Sequence, residues 1–117
     1  MAAEARIPRR YITLEYASLA DGATAERTYT STKDVEIELM MAVKADGTAW
    51  KGSTLTIKKG EEVITKEKIP ASVLGDTWNK GLRLDLPLSA HEEFKVALTN
   101  GEGATITAYV VLSVKEA

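Results

Sequence analysis

Apolar and polar residues alternate with a period of two along most of this chain, the pattern of strands that bury one face. The clearest case runs from Val35 to Lys44. Val35, Ile37, Leu39, Met41 and Val43 fall on one side, and Glu36, Glu38, Met40, Ala42 and Lys44 on the other. Asp46-Gly47 then gives a turn signal, followed by a strand over Thr54–Lys58. Lys59-Gly60-Glu61 turns the chain into Glu62–Lys66 as a hairpin partner. Leu82, Leu84 and Leu86 alternate with Arg83 and Asp85, and Pro87 ends this strand or places it at an edge. Phe94–Thr99 and Thr105–Lys115, separated by Asn100-Gly101-Glu102-Gly103, read as a closing hairpin. Tyr11–Tyr16 and Arg27–Thr30 supply two more strands. Helix is confined to one turn near Pro70–Leu74, stopped by Gly75, and a shorter one at Ser89–Glu92.

About eight short strands with no βαβ rhythm predict an all-β, antiparallel β-sandwich of jelly-roll-like form. The expected core is Ile37, Leu39, Met41, Val43, Leu55, Ile57, Leu84, Phe94, Val96, Leu98, Ile106, Val110 and Leu112. Residues 1–10 carry three arginines and Pro8 with little apolar content, and are expected to form an extended arm on a single domain spanning 11–117.

The same alternation leaves apolar side chains on outward faces. Tyr109 and Val111 lie opposite the core face of the last strand, and Met40 and Ala42 opposite the core face of Val35–Lys44. If these strands are neighbours, the four form a patch of the kind that marks an interaction site. Arg6, Arg9 and Arg10 on the arm suit an acidic partner surface.

Composition narrows the function more than it defines one. The chain has 117 residues, 44% of them apolar and 27% charged, as in ordinary globular domains. A net charge of −2 offers no basic field for nucleic acid. With no cysteine, disulfides, thiolate metal sites and cysteine nucleophiles are excluded. Met1–Arg6 has no apolar run behind its charge, so no secretory signal is expected, and no stretch approaches the ~20 apolar residues of a spanning helix. The chain is expected to be made in the cytoplasm.

Catalytic signals are weak. His91, beside Glu92 and Glu93, is the one histidine and the only hint of acid–base or metal chemistry. It sits in a polar turn without a second imidazole, and no Gly-x-Ser-x-Gly elbow is present. Gly101-Glu102-Gly103 precedes a strand, not a helix, so it lacks the anion site of a dinucleotide fingerprint. Neither a cofactor nor a metal is expected. Trp50 and Trp78, in turn-like contexts, are the candidates for stacking on a sugar, or else cap the ends of the sandwich.

The segments Val35–Met41, Leu55–Gly60, Ile69–Leu74 and the closing Phe94–Lys115 pair follow one another in an order that resembles small jelly-roll proteins of viral particles. The likeness is to decoration or accessory proteins of tailed-phage heads, over roughly residues 11–117. It implies a non-enzymatic structural protein that binds assembled capsid subunits, often as a homotrimer, in a virion assembled in the host cytoplasm. A carbohydrate- or receptor-binding module shares the same outline and is the alternative; outside a virus, a cytoplasmic location is expected.

Overall fold

The alternating segments become nine strands among the described residues, which in the computed structural model are 9–64, 69–73 and 82–116, with backbone alone for Arg9, Arg10 and Val73. They are β1 (Arg9–Leu19), β2 (Thr24–Thr30), β3 (Val35–Lys44), β4 (Thr54–Lys59), β5 (Glu62–Val63), β6 (Ile69–Pro70), β7 (Leu82–Leu88), β8 (Glu93–Thr99) and β9 (Ile106–Glu116). Among the described residues the one helical turn is a 3-10 turn at Ala71–Val73.

The strands form two antiparallel sheets, β1-β9-β3-β7 and β2-β8-β4-β5, with β6 also beside β4. Strand 1 pairs with 9, 2 with 8, 3 with 7 and 4 with 5, so the chain is one long antiparallel ribbon rolled up on itself. Successive long strands alternate between sheets, which is the jelly roll. The expected closing hairpin is therefore corrected. β8 and β9 lie in different sheets, and Asn100–Thr105 arches between them. Alternation reports a buried face but not which strand lies alongside. The arm boundary also moves, because Arg9 and Arg10 already pair with Lys115 and Val114 as the start of β1.

Facing is set by a bulge in β3. Ile37 opposes Val114 on β9 and Leu39 opposes Ser113, so Glu38 is an extra residue. On the other side the register slips between Ile37↔Leu86 and Leu39↔Arg83, where Asp85 takes a left-handed backbone with φ 46°. One inserted residue exchanges the two faces of everything beyond it. Val35 and Ile37 point inward before the bulge, and Met40 and Ala42 do so after it. Leu39, Met41 and Val43, expected in the core, are half-buried on the outward face instead.

The core fills the space between the sheets. Leu14, Tyr16, Ile37, Met40, Ala42, Ala108, Val110, Leu112 and Val114 come from the first sheet, and Leu55, Ile57, Phe94, Val96 and Leu98 from the second. Leu84 and Ile106 are half-buried at its margin. Tyr16 crosses the gap and donates its hydroxyl to the Val96 carbonyl at 2.7 Å. Burial pushes its phenol far above the usual value, so it stays a neutral donor. Arg27 closes the open seam beside it, with its guanidinium 5.3 Å from the Tyr16 ring centroid and Nε donating to the Glu15 carbonyl. Tyr16→Phe leaves a buried carbonyl without its donor. It should lower stability by about 1–3 kcal/mol without changing the fold, as read by urea unfolding.

Candidate functional site

The outward face of the first sheet is the candidate. On it Met41 stands opposite Val111 and Val43 opposite Tyr109, with Leu39 next in line on β3. β1 continues the rows with Thr13 beside Val111 and Glu15 beside Tyr109. Leu39, Met41, Val43, Tyr109 and Val111 therefore form one apolar field across two central strands, and all five are partly exposed. Tyr11, at the end of the face, is 60% exposed.

Charge is held at the margins of this field. Lys115 Nζ lies 3.6 Å from Glu38 and 3.8 Å from Glu36. Glu38 also accepts from the Ser113 hydroxyl at 3.4 Å. At the β7 edge Arg83 Nε donates to Asp85 at 2.8 Å. Pro87, the Asp85 bulge and this ion pair blunt β7 as a pairing edge.

The outward face of the second sheet is different in kind. Its rows are Thr24-Thr99-Thr54, Glu26-Ala97-Thr56 and Thr28-Lys95-Lys58, the last continued at the β5 edge by Val63, which is 47% exposed. Thr24 and Thr99 share a hydrogen bond at 2.7 Å, and Lys95 lies 3.3 Å from Glu93. Such a face is at home in water, whereas the field on the first sheet is not.

Two of the four expected patch residues are thus correctly placed. Tyr109 and Val111 face outward, but Met40 and Ala42 are fully buried and take no part. Leu39, Met41 and Val43 stand where those two were expected. Strict alternation carried through Glu38 misses them, because a bulge leaves no mark in a hydropathy pattern. The side chains of Arg9 and Arg10, like all of Arg6, lie outside the described residues.

A second cluster ties the loops at one end of the sandwich. Glu102 is enclosed, its side chain 3% exposed, and accepts from Lys44 Nζ at 2.8 Å. It also accepts from the backbone amides of Lys51, Gly52 and Ser53 and from the Ser53 hydroxyl. Burial alone would raise this carboxyl. The Lys44 ammonium, the Ser53 hydroxyl and the amides outweigh it and hold the pKa at about 2, down from 4.5. The loops approach so closely that a Cβ on Gly52 would lie 2.9 Å from the Gly101 carbonyl oxygen. Asn100, also buried, donates to the carbonyls of Leu19 and Ala104 and accepts from Glu102 N. Each of these side chains finds a partner within the chain, and no buried side-chain polar atom among the described residues lacks one. The cluster fastens the two loops to each other.

Of the other candidates, His91 lies in a turn and Trp50 against the core. His91 is exposed, with φ 66°, and its backbone N–H donates to the Ser31 carbonyl. The neighbouring Glu92 accepts from Ser89 N, and no group of three potential metal ligands occurs among the described residues. Trp50 packs against the core with Nε1 donating to the Ala42 carbonyl at 3.1 Å, as an end cap would. Trp78 lies outside the described residues. Among the described residues no helix is long and apolar enough to cross a membrane.

Fold and site together define a jelly-roll sandwich with one solvated and one apolar outward face. No family model, curated protein or solved structure matches the chain.

Proposed function

We propose that this protein is a non-enzymatic structural component of a virus particle, a jelly-roll subunit that assembles with itself and binds and stabilises a capsid. The observation that carries this reading is the contrast between the two outward faces. An apolar field on a small domain favours burial against protein. The jelly-roll strand order supports the same reading, since it is common in particle-forming and surface-binding proteins, although fold by itself assigns no function. Polar groups converge among the described residues at Glu102, where the chain's own donors already saturate them. That leaves little for a substrate.

In this reading the arm and the first residues of β1 reach the particle. Arg6, Arg9 and Arg10 would meet acidic groups on assembled capsid subunits. The test is co-sedimentation with capsids built from the major capsid protein of the same genome. Wild-type protein should pellet with them at low salt and less so as salt rises. A variant lacking residues 1–8, with Arg9→Gln and Arg10→Gln, should keep its circular dichroism spectrum and β-sheet melting transition but bind more weakly. Wild-type protein that stays in the supernatant at low salt would rule the reading out.

A further inference from the structure

We infer that the apolar face of the first sheet is a self-association surface, on which a second copy of this chain packs sheet to sheet about a twofold axis running along the strands. This rests on the assembly reading and names the occupant of its site. Three observations support a second copy over a different partner.

The first is shape. A sheet face accepts another sheet at a spacing of about 10 Å by interdigitating side chains, as the two sheets of this sandwich already do. The second is area. β1 and β9 each run 11 residues in a four-stranded sheet. At about 3.3 Å per residue and about 4.8 Å per strand the face offers roughly 700 Å². A standard interface buries about 800 Å² per partner.

The third is self-complementarity. The rows across the sheet are Tyr11-Ser113-Leu39-Arg83, Thr13-Val111-Met41 and Glu15-Tyr109-Val43. A twofold axis between β9 and β3 lays each row on its own reverse. Val111 then meets Met41 of the second copy, and Tyr109 meets Val43. Tyr11 arrives over Arg83, where a guanidinium can stack on the ring. Leu39 meets Ser113 of the second copy, so two of the three central pairs set apolar on apolar, and no like charges are opposed there.

The chain has no cysteine, so single introduced cysteines report the contact directly. Val111→Cys and Met41→Cys, prepared separately, mixed in equal amounts and treated with a bis-maleimide whose span matches the sheet spacing of about 10 Å, should give a cross-linked pair at twice 12.7 kDa on a denaturing gel. Thr56→Cys, on the polar face, should not. Sedimentation equilibrium from micromolar to near-millimolar protein should show a wild-type dimer. Val111→Glu should weaken it at least about tenfold, since two like charges would be buried near one another, and leave the melting transition in place. A monomer throughout, a trimer, or no cross-link in the Val111/Met41 mixture would overturn the proposal. So would a Val111→Glu protein that no longer melts cooperatively, because the face would then be covered by the chain itself. Particle binding that survives without the dimer would remove this contact and leave the capsid reading standing; a dimer that never binds particles would do the reverse.

Discussion

Glu102→Ala is expected to lower the unfolding free energy by about 3–5 kcal/mol, because it leaves the Lys44 ammonium buried without its partner. Lys44 is 5% exposed, and among the described residues Glu102 is the acceptor of its ammonium, with the Trp50 ring centroid 6.0 Å away. The amides of Lys51, Gly52 and Ser53 lose their acceptor in the same step. Chemical denaturation at neutral pH reads the loss. Lys44→Met combined with Glu102→Gln should recover much of it, because the remaining amide oxygen still accepts while no charge is buried.

The same carboxylate gives stability a defined acid dependence. Its pKa falls from 4.5 to about 2 on folding, so the folded state favours the ionised form. That contribution is fully present above pH 4.5 and is lost as pH falls toward 2. A shift of this size corresponds to about 3 kcal/mol. Wild-type stability should decline across this interval, and Glu102→Gln should flatten the decline. An equally steep profile in the variant would mean that other carboxylates carry the acid response.

A pair of neighbouring substitutions should separate folding from association. Met40→Asp puts a charge into the packed interior beside Leu112 and Leu82, where nothing can pair with it. The cost is expected to exceed about 4 kcal/mol and prevent folding. Leu39→Asp, one residue earlier, points outward and should leave a folded protein, with a melting transition only modestly lower. Strict alternation along β3 predicts the opposite order, so thermal melts of the two variants test the bulge at Glu38 directly. If Leu39→Asp fails to fold while Met40→Asp melts normally, the register past Ile37 is wrong.

The sequence by itself determined the fold class, most strand positions and the facing of the last strand. These depend on local periodicity, which each segment carries within itself. Val35–Lys44 was legible to the residue as a strand, and Ala108, Val110, Leu112 and Val114 as its neighbour's inward side. Pro87 marked an edge because a residue without an N–H cannot serve a central ladder. The outward positions of Tyr109 and Val111 were legible for the same reason.

Only the tertiary structure decided who neighbours whom. Phe94–Thr99 and Ile106–Glu116 look like a hairpin along the chain, yet pairing is a long-range choice that bury-one-face patterns leave open. The bulge at Glu38 arises from two neighbours at once, β9 and β7, and so has no local signature; it alone moved Met40 and Ala42 inward and brought Leu39, Met41 and Val43 to the surface. Glu102 and Lys44 are 58 residues apart and read as ordinary solvated charges. Their burial depends on Gly52 and Gly101 letting two loops touch, and a close approach of that kind exists only once the sheets have packed.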